Sequence, residues 1–196
     1  TITDNTGTIT TTYNALGQSM AVREQARSVV VANADALLQA NSATDLTSAS
    51  LIQQRSPYTT IAYDGLGRMI ATRRHANGHD GVNTPAINAA DQVDLTFYDQ
   101  LDRVLMTQSA AAWASTTPTA HRTWSEYDAA GNLTHSWSYL DAADSSRNAM
   151  VHRWYSYDAV GRQTGASQTR TAIATGATST DQSEAVSYNA FGEIVA

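Results

Sequence analysis

A five-residue pattern recurs six times along this chain: tyrosine, then aspartate or asparagine, two variable residues, and usually glycine. The copies are Tyr13-Asn14-Ala15-Leu16-Gly17, Tyr63-Asp64-Gly65-Leu66-Gly67, Tyr98-Asp99-Gln100-Leu101-Asp102, Tyr127-Asp128-Ala129-Ala130-Gly131, Tyr157-Asp158-Ala159-Val160-Gly161 and Tyr188-Asn189-Ala190-Phe191-Gly192. Their tyrosines lie 50, 35, 29, 30 and 31 residues apart, so the last four copies are nearly periodic. A period in this range marks an array of one small supersecondary unit.

The pattern has a local physical meaning. Asp or Asn at the first position of a type I turn accepts a hydrogen bond from the backbone N–H two residues on, and Gly at the fourth position allows positive φ. The preceding Tyr, and segments such as Arg68-Met69-Ile70 or Asn132-Leu133-Thr134 that follow, suit strands. Each copy therefore predicts the tip of a β-hairpin, with a bulge at the Gly.

A thick hydrophobic core is not on offer. Leu, Ile, Val and Phe number 32 of 196 residues, while Ala alone supplies 33. So low a fraction points to disorder only when net charge is high, and here the net charge is −6 with 15% charged residues. Thr, Ser, Ala and aromatic residues fill the segments between turns, which suits thin, half-solvated antiparallel sheets. The expected fold class is all-β, an antiparallel β-hairpin repeat ribbon.

The same composition excludes several functions. No cysteine is present, which removes disulfides, thiolate metal sites and thiol catalysis. The acidic balance and the absence of a basic run argue against nucleic acid as a partner. No apolar run is long enough for a membrane-spanning helix, and no secretory leader is recognisable. All 12 basic residues are Arg, a bias with no evident mechanism. The return strand after Gly192 is short for a hairpin, so the chain is expected to be a piece of a longer polypeptide: a single array over residues 1–196, incomplete at both ends.

The clearest strands flank the later turns. Leu133, His135, Trp137 and Tyr139 alternate with Thr134, Ser136 and Ser138, and Val151, Arg153, Tyr155 and Tyr157 alternate with Met150, His152, Trp154 and Ser156. Residues 141–146, 75–91 and 110–120 read as loops. Residues 18–57 form the long first interval, a degenerate repeat or an insertion. Ala, Leu, Arg and Glu between Val22 and Gln39 would allow a helix, Val29-Val30-Val31 favours a strand, and the hairpin reading is preferred.

Tyr63-Asp64-Gly65-Leu66-Gly67-Arg68 and Tyr157-Asp158-Ala159-Val160-Gly161-Arg162 resemble the signature of YD-repeat, or Rhs-repeat, proteins, and the resemblance spans Tyr13 to Glu193. That family includes Rhs polymorphic toxins, insecticidal toxin complex subunits, wall-associated bacterial proteins and teneurins. The resemblance implies a stretch of a β-ribbon that spirals into a hollow shell enclosing or presenting a C-terminal cargo domain, in a secreted or cell-surface bacterial protein. It implies partners within the same polypeptide: its remainder and the enclosed or attached domain. The family's toxins end their repeats with a self-cleaving region carrying an Asp-Pro motif; the prolines here, Pro57, Pro85 and Pro118, do not follow Asp. Asp102 departs from the pattern at the Gly position, Asn14 and Asn189 at the Asp position, and Gln18, Asn132 and Glu193 at the Arg position.

Candidate chemistry is sparse. The turn residues are read as structural: Tyr13, Asn14, Gly17, Tyr63, Asp64, Gly67, Tyr98, Asp99, Asp102, Tyr127, Asp128, Gly131, Tyr157, Asp158, Gly161, Tyr188, Asn189 and Gly192. His75 and His79 beside Asp80 have ligand-like spacing, but Asn77-Gly78 between them disfavours the helix that would align them, and a solvated loop is the expected setting. His121, His135 and His152 lie in predicted strands near tryptophans and could titrate together on one face, although ordinary half-exposed strand positions account for them. Asn132-Leu133-Thr134 fits a glycosylation acceptor, but the turn explains the Asn. No phosphate loop, nucleophile elbow or acid/base pair is present, so no enzyme, metal or cofactor is expected. Trp113, Trp124, Trp137 and Trp154 pack between hairpins or, alternatively, stack on sugar rings; Trp124, Trp137 and Trp154 would then make a carbohydrate- or cell-surface-binding module.

Overall fold

In a computed structural model, the residues described are 2–4, 7–30, 52–110, 121–139 and 149–195. They are all-β, with 14 antiparallel strands and no α-helix among them. The chain divides into two compact units, Thr1–Val93 and Asp94–Ala196.

In the first unit β1 (Ile2–Asp4), β2 (Gly7–Tyr13), β3 (Ser19–Arg23), β6 (Tyr58–Tyr63) and β7 (Met69–Arg74) lie side by side in that order. A separate two-stranded ladder joins β4 (Arg27–Val30) to β5 (Ile52–Arg55), pairing Arg27 with Arg55 and Ser28 with Gln54. The long first interval is thus a hairpin stem over its described part, and Val22–Val30 is not helical. Residues 31–51 lie outside the described part.

The second unit runs through β8 (Gln92–Tyr98), whose first two residues belong to the first unit, then β9 (Val104–Gln108), β10 (Arg122–Tyr127), β11 (Leu133–Tyr139), β12 (Ala149–Tyr157), β13 (Gln163–Ala172) and β14 (Thr178–Ala185). Each strand pairs with the next in sequence. The expected loop 141–146 and residues 111–120, Trp113 and Pro118 included, lie outside the described residues.

The hairpins of the first five motif copies close with the same irregularity. Tyr13 faces Ser19 while Thr12 faces Ala21, so Met20 is extra. Ile70, Leu105, Thr134 and Thr164 are the equivalent extra residues in the later hairpins. An extra residue on one strand is a β-bulge, and it resets the alternation of faces. This corrects one grouping made from sequence: Leu133 pairs with Tyr127 and lies on the opposite face from His135, Trp137 and Tyr139.

The interior is small and as polar as it is apolar. Among the described residues Ala21, Val93, Ala149 and Val151 are the buried apolar side chains, against Ser56, Asp91, Gln108, His135 and Ser136. Fully burying a Val is worth only about 1.5–3 kcal/mol, so cross-strand pairs and hydrogen bonds carry a large share of the cohesion.

Candidate functional site

The turns are built alike. Asp64 Oδ1 accepts from the amides of Leu66 and Arg68 at 2.9 and 3.0 Å, while the Gly67 amide donates to the Asp64 carbonyl at 3.0 Å and the Asp64 amide to the Arg68 carbonyl at 2.9 Å. This is a type I turn followed by a glycine bulge. The five glycines at the fourth position have φ between 78° and 93°. Asp102 takes that position with φ 63°, and its turn-closing bond to the Asp99 carbonyl is stretched to 3.4 Å.

A second pairing inside each turn escaped the sequence reading. Arg68, Arg103 and Arg162 donate through Nε to Asp64, Asp99 and Asp158 at 2.8, 2.7 and 2.7 Å. Where Arg is replaced by Asn132, its side-chain amide donates to Asp128 at 2.9 Å, which also places the acceptor nitrogen of the glycosylation sequon inside the turn. Where the first residue is Asn, the polarity reverses: Asn14 donates to Gln18 Oε1 at 2.8 Å and Asn189 to Glu193 Oε2 at 2.6 Å. The departures at the Arg position are complementary replacements. The signal was present in the sequence, since Asn at the first position always accompanies an acceptor four residues later.

These contacts hold the carboxyls in their charged form. The Arg68 side chain, aided by the turn amides, keeps Asp64 below the usual carboxylate range, and the Arg162 amide does so first for Asp158. Asn132 plays that part at Asp128. At Asp99 desolvation works upward, but the bonds from Arg103 and Leu101 outweigh it.

The tyrosines join one hairpin to the one before. Backbone pairing between β3 and β6 stops at Ala21 and Thr60, where the bulge begins; three residues on, the Tyr63 hydroxyl donates to the Ser19 carbonyl at 2.9 Å. The geometry repeats for Tyr127 on Val104, Tyr157 on Leu133 and Tyr188 on Gln163, at 3.0, 2.9 and 2.9 Å. In each case the acceptor is the carbonyl six residues after the preceding motif's Tyr. The hydroxyl takes over where the backbone ladder gives out, so a carbonyl that the bulge would orphan is satisfied. Burial raises the Tyr157 pKa, keeping it a donor.

The residue after the turn's fourth position also reaches forward. Gln18 Nε2 donates to the Gly67 carbonyl at 2.7 Å and Arg103 Nη1 to the Asp128 carbonyl at 3.0 Å. Arg103 lies 4.8 Å from the Tyr127 ring centre, and Arg162 lies 4.5 Å from that of Tyr188. Cation–π geometry thus backs the tyrosine bond at these junctions.

One face of the second unit gathers the aromatics. Trp124 pairs with Trp137, His135 with Trp154 and Trp137 with His152 across adjacent strands. The rings stack: Trp124 on Trp137 at 5.8 Å, His135 on Trp137 at 4.6 Å and His135 on Trp154 at 3.5 Å. Trp154 remains 45% exposed, whereas His135 is buried. His135 and His152 come together as ring neighbours; His121, exposed and outside the strands, does not join them.

His75 corrects another expectation. Its side chain is 4% exposed, not solvated, and packs with His79 around Tyr58, at ring separations of 5.3 and 5.2 Å. Asp91, wholly buried, accepts from the Ala76 and Asn88 amides at 2.9 and 3.1 Å and from Arg73 at 3.0 Å. Burial works to raise the Asp91 pKa, but these bonds outweigh it and hold the carboxyl low. Burial lowers the pKa of His75. Thr60 Oγ1 lies 3.0 Å from His75 Nε2, and His75 Nδ1 lies 3.8 Å from Asp91.

Hydroxyl, imidazole and carboxylate in that order suggest a catalytic triad, but the chemistry does not follow. His75 Nδ1 stands 3.8 Å from Asp91 and makes no hydrogen bond, Asp91 already accepts from two amides and a guanidinium, and Thr60 is not among the residues lining the adjoining cavity of about 1140 Å³, which His75, Arg55 and Asp80 help line. The cluster instead ties the ends of the 75–91 loop to β6 and β7. Asp80 is pushed down to about 2 by the Asn83 and Val82 amides, which fold that loop's middle. Among the described residues no group of three or more His, Asp or Glu is placed to hold a metal ion.

No protein-family model matches the sequence, and no curated protein sequence matches it. Among solved structures the chain is similar to the Tc holotoxin pore of Photorhabdus luminescens with a mutated TccC3, at 14% identity and TM-score 0.32. It is similar also to TcdB2-TccC3 without its hypervariable C-terminal region, at 14% and 0.31, and to TcdB2-TccC3, at 16% and 0.30. Each alignment covers 95% of this chain and 10% of the other, so the chain spans about a tenth of the length of the chains it matches.

Proposed function

We propose that this chain is a non-enzymatic scaffold segment of the YD/Rhs-repeat kind, a stretch of wall in a larger secreted or toxin-delivery protein that encloses or presents a cargo domain. The observation that carries the reading is the junction: four times, the motif tyrosine bonds to the same carbonyl of the preceding hairpin. The motif's polar groups are thereby spent on turns and on neighbouring hairpins. A repeat whose contacts run only to its neighbours is suited to building an extended wall.

The test uses the whole parent polypeptide. Limited proteolysis should spare the attached domain in the wild type and degrade it when Tyr127, Tyr157 and Tyr188 are all changed to Phe. Equal cleavage of that domain in both proteins would remove the enclosing role.

A second reading, a glycan-binding surface, rests on Trp154. Its ring lies against His135 on one side, stays 45% exposed, and neighbours Ser156 and, across the strand pair, Ser167. Trp124 and Trp137 stack on each other instead. A glycan-array screen of wild type and Trp154→Ala decides it; the absence of any Trp154-dependent signal discards the reading.

A further inference from the structure

Glu126, His135 and His152 form a continuous chain of titratable groups across three adjacent strands. Glu126 Oε2 lies 3.1 Å from His135 Nδ1, and His135 Nε2 lies 2.9 Å from His152 Nδ1. The His135 ring is flanked by Trp154 and Trp137, so it has little room to turn away. Across β9 to β13 the register leaves Glu126 and Arg122 as the charged side chains on this face besides the histidines; Arg122 bonds to Gln108, and β13 presents Ser167 and Thr169.

The proton inventory follows from these bonds. With His135 Nδ1–H donating to the Glu126 carboxylate, His135 Nε2 accepts from His152 Nδ1–H, and both rings are neutral with each facing atom satisfied. One added proton is accommodated, either on His152 Nε2 or, after transfer along the bond, on His135 between two indole faces and against Glu126. A second proton is not. Two imidazolium rings would point N–H at N–H across 2.9 Å, with no acceptor between them and like charges in contact.

We propose that this chain is an acid-sensitive joint in the sheet: it takes up one proton in place and is broken by a second, loosening the seam between β11 and β12. The sign agrees with the setting of His152, whose pKa is lowered from 6.5 by burial and then by His135. Neutral His152 contributes its stability above the unfolded value and loses it as pH falls through the lower folded value. The joint lies beside Trp154, so its opening also changes what the aromatic face presents.

The test is imidazole-detected NMR and amide exchange on the full chain between about pH 7.5 and about pH 5. The wild type should show the two rings titrating in separate steps, the second below the ordinary histidine value. Amides of β11 and β12 should open about tenfold more at the acid end, after correction for intrinsic exchange. His152→Asn keeps a donor near His135 Nε2 and cannot titrate, so it should abolish the acid opening. Glu126→Gln, on a largely exposed side chain, should shift the second step to lower pH without disturbing the fold. Independent single-step titration of the two rings overturns the proposal, as does acid opening that persists in His152→Asn; should that variant not fold, an unmoved second step in Glu126→Gln overturns it.

Discussion

The Tyr157 hydroxyl donates to the Leu133 carbonyl at 2.9 Å, two residues beyond the last backbone pair between β11 and β12. Tyr157→Phe removes this donor and leaves the carbonyl without its partner. The expected loss is about 1 kcal/mol, the usual net worth of such a bond. Urea unfolding at neutral pH measures it, and amide exchange should place the loss at the β11–β12 junction and spare β2 and β3.

Asp102 occupies a left-handed position that glycine takes in the other copies. Asp102→Gly relieves that conformation but adds freedom to the unfolded chain, so the net gain should be modest, up to about 1 kcal/mol. A rise in the denaturation midpoint, with the turn-closing bond to Asp99 shortened in a structure of the variant, is the expected result.

Asp158 and Arg162 form a donor–acceptor pair whose polarity is reversed in Asn189 and Glu193. Asp158→Asn alone sets the Asn amide near the guanidinium, donor against donor, and should lower thermal stability. Adding Arg162→Glu to it recreates the Asn189–Glu193 arrangement and should recover about half of the loss or more, a non-additivity that a double-mutant cycle reads directly. Additive losses would show that the two positions act separately.

Asp91 is buried against Arg73 and two amides. Asp91→Ala strands all three donors and should cost about 3 kcal/mol or more. Its folded pKa lies below 3.8, so the carboxylate's contribution is complete above that value and is lost as pH falls through the lower one. Acid titration of the wild type, but not of the variant, should show this loss in the 75–91 loop.

What the sequence disclosed was what is local. Asp64, Gly67 and their counterparts identify a turn because all the hydrogen bonds that define it lie within five residues. The tyrosine junctions stayed hidden because the acceptor is a backbone carbonyl, which leaves no mark in residue type. Thr134, an ordinary strand residue by composition, is the bulge that moves Leu133 off the aromatic face. His75 read as solvated because the residues it meets, Tyr58, Thr60 and Asp91, are all distant in sequence. Gln18 and Glu193 read as losses of Arg because each was compared with a consensus; set beside Asn14 and Asn189, each completes a pair.

The tyrosine bond has one consequence for how such a chain can change over generations. At all four junctions the later hairpin supplies the hydroxyl and the earlier one the carbonyl. The array therefore has a direction, like a row of hooks and eyes all facing one way. Whole hairpins can be duplicated or deleted and the new neighbours will still fasten, provided that order along the chain is kept; an inverted graft would bring hydroxyl to hydroxyl and leave both carbonyls bare.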